Sequence, residues 1–156
     1  MKIGVISDTH GLLRPQVMPA LAGVERILHL GDVGDSAILQ ALEELAPVTA
    51  IRGNVDRSEP CSRLPETEVL SFEGHYIYML HDIHTLHLDP AAAKFAVVLY
   101  GHSHQPGIRR HKGVIYFNPG SCGPRRFELP VTVGLLTLEK DVDPSAEIIH
   151  LSLESE

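Results

Sequence analysis

The chain has 156 residues, of which 44% are hydrophobic and 21% are charged, a composition typical of folded globular proteins and unlike that of disordered chains. Thirteen Lys and Arg residues stand against twenty Asp and Glu residues, and the resulting formal charge of −7 argues against a general nucleic-acid-binding surface. The length predicts one domain spanning residues 1–156, and no apolar run is long enough to cross a membrane.

Short apolar runs rich in β-branched residues predict ten strands along the chain. A connecting segment is expected at residues 141–145, between the last two strands. The predicted strands are Lys2–Ile6, Arg26–Leu30, Val48–Arg52, Val69–Phe72, Tyr76–Leu80, Ala96–Tyr100, Gly107–Arg110, Val114–Phe117, Val131–Leu138 and Glu147–Leu153.

Helical signals are fewer than strand signals. Asp35–Ala46 has apolar residues at helical spacing, with an N-cap at Asp35 or Ser36. Shorter helices are predicted at Arg14–Ala22 and Asp89–Phe95. Strands and helices alternate in the first half, whereas strands and hairpins fill the second. This order predicts an α/β fold with two sheets, or one mixed sheet, flanked by helices.

Five of the predicted strands are followed by side chains that can bind metals. Since ligands gather beyond the carboxyl ends of strands in α/β sheets, these side chains are expected to converge in one pocket if the five strand ends are neighbours. The seven candidate donors are Asp8, His10, Asp32, Asn54, His81, His102 and His104.

The types of donor indicate the class of metal. Two carboxylates, one amide and four imidazoles, with no thiolate, suit divalent ions such as Mn²⁺, Fe²⁺ or Zn²⁺. Seven donors exceed what one ion needs, but they fit two ions that share a carboxylate. Paired ions of this kind are suited to in-line displacement at phosphorus.

The ordered motifs Asp-x-His, Gly-Asp, Gly-Asn-x-Asp, His and Gly-His-x-His resemble those of the calcineurin-like metallophosphoesterase superfamily. The Gly-Asn-Val-Asp form and the turn Asn118–Ser121 most resemble its small prokaryotic phosphodiesterase branch, and the resemblance runs from Lys2 to Ser121. It implies a four-layer αββα sandwich, in which two packed mixed sheets are flanked by helices.

The resemblance also implies a role for each donor. One ion would be held by Asp8, His10 and His104, the other by Asn54, His81 and His102, with Asp32 bridging the two. The ions would be Mn²⁺, with Ni²⁺, Co²⁺, Fe²⁺ or Zn²⁺ as alternatives, and a bridging hydroxide would attack phosphorus. The residues expected to act in catalysis are Asp8, Asp32, Asn54 and His81.

Two positions depart from the pattern of the family. Many members have His directly after the Asn and use it as the general acid, but Val55 stands there and cannot donate a proton. Leaving groups of low pKa are therefore expected, or protonation by water or by another residue such as His84. Asp82 follows His81 where the family usually has Gly, and it could hydrogen-bond to a ligand or make the pocket more acidic.

Residues 90–127 contain no acidic residue and carry six basic ones. Within this stretch Arg125 and Arg126 follow the Asn118–Ser121 turn. They could hold phosphate oxygens together with Asn54, or form a solvated surface pair. His29, inside a predicted strand, is expected to be a core residue without a catalytic role.

The sequence thus predicts a metal-dependent phosphoesterase, with a phosphodiesterase favoured and a small-molecule phosphate ester as substrate. Two alternatives stay open: a protein-binding scaffold resembling a retromer subunit, and a phosphomonoesterase acting on a small metabolite. A homo-oligomer is an open alternative to a monomer. Only two cysteines, Cys61 and Cys122, and no signal segment lead us to expect a cytoplasmic protein.

Overall fold

The computed structural model of the chain describes residues 1–153, with ten strands and two α-helices in that range. The α-helices are α1 (Val17–Ala20) and α2 (Ser36–Glu43), and short 3-10 turns lie at Cys61–Arg63 and Ile83–Thr85. The strands are β1 (Lys2–Ile6), β2 (Arg26–His29), β3 (Val48–Ala50), β4 (Thr67–Phe72), β5 (His75–Leu80), β6 (Val97–Leu99), β7 (Gly107–His111), β8 (Val114–Asn118), β9 (Thr132–Glu139) and β10 (Val142–His150).

The strands form two mixed five-stranded sheets, as predicted. The first has the order β10-β9-β1-β2-β3 and the second the order β4-β5-β6-β8-β7. Strands β1, β2 and β3 run parallel to one another, and so do β5, β6 and β8. The remaining neighbours pair antiparallel. Each sheet therefore presents a row of parallel strand ends at one edge.

The main core lies between the two sheets. Ile3 and Val5 of the first sheet pack in the same buried cluster as Met79, Leu99 and Phe117 of the second. Alternation along β1 turns Ile6 to the opposite face, where it packs with Val17 and Leu21 around α1. Gly4 lies on that outer face, and a Cβ there would lie 2.9 Å from a methyl carbon of Leu21.

The structure corrects three predicted elements. Residues 90–94 form a turn rather than the predicted helix, although Asp89 accepts hydrogen bonds from the backbone N–H groups of Ala91 and Ala92 as a cap would. The segment 141–145 is not a connection, because β10 begins at Val142 and contains a bulge before Ser145. The Arg14–Ala22 helix shrinks to four residues, since Pro19 cannot donate a backbone hydrogen bond.

The outer layer of the second sheet differs from that of the first. Helices α1 and α2 cover the first sheet, whereas Ile83, Leu86 and Ala91 from the turns after β5 pack on Leu80 and Tyr116 of the second. The fourth layer is thus built from turns. Within residues 1–153 no helix is long and apolar enough to cross a membrane.

Candidate metal centre

All seven predicted donors lie on loops that leave the carboxyl ends of parallel strands. Asp8 and His10 follow β1, Asp32 follows β2 and Asn54 follows β3, all from the first sheet. His81 follows β5, while His102 and His104 follow β6, both from the second sheet. Because the two sheets pack face to face, the donors of one sheet meet those of the other, and the predicted convergence is observed.

Three donors form a first group, Asp8, His10 and His104. The Nε2 atoms of His10 and His104 lie 3.5 Å and 3.4 Å from Oδ1 of Asp8, and 3.3 Å from each other. Neighbouring ligands bound at about 2.0–2.1 Å to one tetrahedral or octahedral ion are separated by about 2.8–3.4 Å. The spacing of this group therefore suits a single ion between the three atoms.

The remaining donors form a second group beside the first. Nε2 of His81 lies 3.1 Å from Oδ2 of Asp32, and His102 brings a ring nitrogen to the same cluster. Nδ1 of His102 lies 3.2 Å from Oδ1 of Asn54. Asp32 faces both groups, since its Oδ2 is also 3.7 Å from Nε2 of His10. Its position suits a carboxylate shared by two ions.

The carboxylates are held as anions by the histidines around them. Burial raises the pKa of Asp8, but the rings of His10 and His104 outweigh burial and hold the pKa well below its usual range. Burial likewise opposes ionisation of Asp32, and the nearby His81 ring overcomes it, so the pKa of Asp32 is also lowered. Two buried negative charges thus face a common space, which favours a cation there.

Unpartnered polar atoms support a metal at this position. Among the described residues, Oδ1 of Asp8 and Nε2 of His81 are buried without a hydrogen-bond partner, a costly arrangement unless another group occupies the space. Nδ1 of His81 lies 2.7 Å from the carbonyl oxygen of Leu30. When Nδ1 carries the ring proton and donates it to this carbonyl, Nε2 is unprotonated, faces Asp32 and is available as a ligand. The residues present therefore fit a metal centre.

The backbone around the centre adopts an uncommon conformation. Five of the seven donors have positive φ angles between 46° and 70°, a region that non-glycine residues seldom occupy. Such strain persists where the surroundings impose it, and it clusters at functional sites. The five residues are Asp8, His10, Asp32, His102 and His104.

Close packing of the loops requires glycine at two positions. A Cβ on Gly53 would collide with the carboxylate of Asp32, and a Cβ on Gly101 would collide with the hydroxyl of Ser7. That hydroxyl donates a hydrogen bond of 2.6 Å to Oδ2 of Asp8. The glycines beside the donors therefore let the loops approach closely enough to bring the donors together.

His29 fixes the loops after β1 and β2 to each other. Its Nδ1 accepts a hydrogen bond from the backbone N–H of Gly31, and its Nε2 lies 3.0 Å from the hydroxyl of Thr9, which itself donates to the carbonyl of Val33. Burial lowers the pKa of His29 to about 4, so the ring is neutral at pH 7. The predicted core role of His29 is confirmed.

Asp56 fixes the loops after β2 and β3 to each other. Its buried carboxylate accepts hydrogen bonds from the backbone N–H groups of Val33, Gly34 and Gly53, at 3.2, 3.1 and 3.0 Å. Asp32 and Asn54 are thereby held at a constant separation. Backbone N–H groups bonded to a carboxylate form strong, charge-assisted hydrogen bonds, so Asp56 is a positioning residue.

The Asn118–Ser121 turn supports the centre from below the second sheet. The side-chain amide of Asn118 donates to the carbonyl of Gly101, at 3.2 Å, and to the hydroxyl of Ser103, at 3.1 Å. The hydroxyl of Ser121 donates to the backbone carbonyl of Asp8. The sequence indicated this turn only through the resemblance to the family. The structure shows that the turn holds the donor loops in place by hydrogen bonds.

A cavity of about 850 Å³ opens beside the second group. Asn54, His81 and His102 of the second group line it, together with Asp82. His87, which the sequence suggested could lie at the edge of the site, lines the cavity as well. Other lining side chains come from different loops and strand ends and were not indicated by the sequence. They include Arg52, Arg57, Glu66, Tyr78 and Leu88.

Arg125 and Arg126 are not among the residues that line this cavity. Nε of Arg125 donates to the carbonyl of Leu129, and the side chain borders a separate depression with His150 and Leu151. Arg126 is exposed. His84 is exposed too, and its ring and backbone N–H groups contact Oδ1 of Asp82. Burial raises the pKa of Asp82, but these hydrogen bonds outweigh it and lower the pKa.

Strand-end donors that could hold two metal ions, on two packed mixed sheets, define a class of metal-dependent hydrolase. Comparison with known proteins gives the family, because the model of the calcineurin-like phosphoesterase superfamily domain matches residues 1–141. A protein of Methanothermobacter thermautotrophicus named probable metallophosphoesterase is 41% identical over 162 residues, covering 96% of this chain and 92% of that protein. The chain therefore belongs to the calcineurin-like phosphoesterase superfamily.

Solved structures share the fold. The structure of an archaeal phosphodiesterase matches with a TM-score of 0.80 and 27% identity, covering 97% of this chain and all of the other. Vps29 of Chaetomium thermophilum matches with a TM-score of 0.78 and 16% identity, over 97% of both chains. At that identity the likeness to Vps29 shows the fold alone. The predicted sandwich of two mixed sheets is thus confirmed.

Proposed function

We propose that the protein is a metal-dependent phosphodiesterase with two divalent ions at the candidate metal centre. The observation that carries this proposal is the pair of adjoining donor groups around the buried Oδ1 of Asp8 and Nε2 of His81, both without a hydrogen-bond partner in the described part of the chain. The family and the archaeal phosphodiesterase relative support the same reaction. A complete set of donors favours catalysis over a purely scaffolding role.

The residues of the chain would divide the work between holding metal and orienting substrate. Asp8, His10 and His104 would bind one ion, Asn54, His81 and His102 the other, and Asp32 both. When bound, such a pair supplies a water nucleophile at neutral pH and neutralises charge on the phosphoryl oxygens.

Asn54 also lines the cavity at its metal-centre end, so its amide can contact a phosphoryl oxygen of the substrate. His81 has its Nδ1 at the Leu30 carbonyl, which keeps the ring from rotating during turnover.

The leaving alcohol would depart without a histidine directly after Asn54 to protonate it. Val55 follows Asn54, its side chain is 48% exposed and its backbone N–H donates to Oδ1 of Asp32. The alternative that the sequence suggests, His84, is engaged with Asp82 and is not among the residues that line the cavity. We therefore infer a preference for alcohols of low pKa, whose anions leave without a general acid.

We further infer that the ions are Mn²⁺ and that the protein works in the cytoplasm. Carboxylate, amide and imidazole donors without thiolates suit Mn²⁺ among the divalent metals. Both cysteines, Cys61 and Cys122, are free thiols in the fold, as expected in a reducing compartment. Burial raises the pKa of Cys122 to about 12, which removes it as a nucleophile at neutral pH.

The purified protein should hydrolyse bis(p-nitrophenyl) phosphate after EDTA treatment and addition of Mn²⁺, and lose the activity when EDTA is present. Faster turnover of the diester than of p-nitrophenyl phosphate would support a phosphodiesterase, and the reverse order would favour a phosphomonoesterase. Absence of turnover of both esters with Mn²⁺, Ni²⁺, Co²⁺ and Zn²⁺ would contradict the proposal.

A further inference from the structure

The cavity beside the metal centre is large enough for more than a phosphoryl group. Its volume of about 850 Å³ is typical of sites that enclose a drug-sized ligand. Tyr78 and Leu88 contribute apolar surface to its walls, so an aromatic or similar ester group fits there. The charged residues that line the cavity then determine which charged substituent this ester group can carry.

Each carboxylate in the cavity wall already has partners. Glu66 forms an ion pair with Arg52 at 2.5 Å, and Arg52 also donates to the carbonyl of Ser62. Asp82 is engaged with His84. Asp56 accepts its three backbone hydrogen bonds. Within residues 1–153 none of these carboxylates forms an ion pair with Arg57.

Arg57 is the cation that remains. It lies three residues beyond Asn54 on the same loop, is exposed and lines the cavity. Among residues 1–153 its guanidinium makes no hydrogen bond or ion pair. An unpaired guanidinium in a concave wall can hold a carboxylate or phosphate with two parallel hydrogen bonds.

We propose that Arg57 binds a second anionic group of the substrate, carried on the ester alcohol that occupies the cavity. This inference rests on the proposed function, since the phosphoryl group must lie at Asn54 for its ester group to reach Arg57. The substrate class is thereby narrowed to phosphodiesters with an additional carboxylate or phosphate. Arg57 acts on binding and specificity and contacts no reacting atom.

A matched pair of esters tests the inference with a single reporter. Phenyl p-nitrophenyl phosphate and 4-carboxyphenyl p-nitrophenyl phosphate both release p-nitrophenolate and differ by one carboxylate. The Mn²⁺-loaded wild type should prefer the carboxylated ester about tenfold in kcat/KM, mainly through a lower KM. Arg57→Gln should abolish the preference without changing turnover of the phenyl ester.

Two further variants distinguish the loss of a specific contact with Arg57 from a general effect of removing one positive charge. Arg57→Lys should restore part of the preference, because a cation returns without the bidentate geometry. Lys140→Gln, an equal change of charge at an exposed turn between β9 and β10, should keep the wild-type preference. Equal kcat/KM values for the two esters in the wild type, or an unchanged preference in Arg57→Gln, would overturn the inference.

The inference and the proposed function can fail separately. If neither ester is hydrolysed, the proposed function fails, and calorimetric titration of the metal-loaded protein with the same two esters then decides about Arg57. Tighter binding of the carboxylated ester by about tenfold in the wild type, but not in Arg57→Gln, would support the second-anion site. Equal dissociation constants would overturn it.

Discussion

Six of the seven donors of the candidate metal centre fall into a buried set and an exposed set, and His10 is intermediate. Asp8, Asp32, His81 and His104 are at most 7% exposed, whereas Asn54 and His102 are exposed and line the cavity. Three of the buried donors are fixed by neighbouring groups, as when the backbone N–H groups of His102 and Val55 donate to Asp8 and Asp32.

A buried set beside an exposed set makes one site both rigid and accessible. Charge is concentrated in the buried set, where low solvent access strengthens its attraction for cations. The exposed donors carry no formal carboxylate charge and contact each other at 3.2 Å. They line the cavity. The buried set thus carries the negative charge of the centre, and on the proposed function the exposed set would meet the substrate.

Asp32, in the buried set, faces both donor groups, and its loss should have the largest effect. Asp32→Asn should lower kcat/KM for bis(p-nitrophenyl) phosphate on the order of 10³-fold, because a neutral amide cannot serve two cations. Steady-state kinetics with saturating Mn²⁺ measure this, and circular dichroism checks the fold. Asp35→Asn, the same change at an exposed N-cap, should keep full activity. Unchanged turnover in Asp32→Asn would remove Asp32 from the bridging role.

The pH dependence of the free energy of unfolding tests the role of His29, which holds the loops of the buried donors together. With a folded-state pKa of about 4 and an unfolded value near 6.5, the unfolded state binds more protons between these limits. The contribution of neutral His29 to the free energy of unfolding is therefore fully present above about pH 6.5, and the free energy of unfolding falls by about 3 kcal/mol as the pH drops to about 4.

The non-titrating variant His29→Asn keeps an acceptor for the N–H of Gly31 and should lose this part of the pH dependence. Urea unfolding of the metal-free protein at several pH values measures it. The same slope in both proteins would show that His29 does not titrate as proposed.

Asp56 tests whether the connection between loops matters for metal binding. Asp56→Asn replaces one acceptor oxygen by an NH₂ group that faces backbone N–H donors. Unfolding free energy should fall by about 2 kcal/mol, and Mn²⁺ affinity should fall roughly tenfold. Urea unfolding and calorimetry measure the two effects. Asp143→Asn, at an exposed position of β10, is the control. A destabilised variant with unchanged Mn²⁺ affinity would show that the donors do not depend on Asp56.

Val55 tests the exposed side of the centre. Val55→His keeps the backbone hydrogen bond to Asp32 and adds a proton donor beside Asn54. Hydrolysis of diphenyl phosphate should speed up roughly tenfold, with little change for bis(p-nitrophenyl) phosphate, whose leaving group needs no proton. Val55→Gln provides similar bulk without an acid in this pH range. Equal effects of both variants on both esters would contradict the absence of a general acid.

The convergence of the donors could be predicted because it follows from strand direction. Asp8, Asp32 and Asn54 each follow a short apolar strand, and parallel strands that are neighbours end at the same edge of a sheet. The three residues converge as expected because β1 pairs with β2 and β2 pairs with β3, in parallel. The helix at α2 was predicted for a similar local reason, its 3.6-residue apolar period, although it is shorter than the predicted Asp35–Ala46 range.

Features that depend on loop shape could not be predicted. Arg125 and Arg126 follow the Asn118–Ser121 turn in sequence, but the chain then directs Arg125 toward Leu129, which no local pattern indicates. Arg57 could not be predicted, because the sequence does not show that its guanidinium lacks a partner. Glu66 and His84, which contact Arg52 and Asp82 of the cavity, come from distant segments. The Asp89–Phe95 turn shows the same limit, since its cap is present without a helix to follow.

The anomalous scattering of Mn²⁺ in crystals of the protein tests the two-metal centre most directly. Two peaks are expected about 3.5–4 Å apart, one among Asp8, His10 and His104 and the other among Asn54, His81 and His102, with the Asp32 carboxylate between them. A single peak, or no peak in this region at saturating Mn²⁺, would contradict a centre of two metal ions.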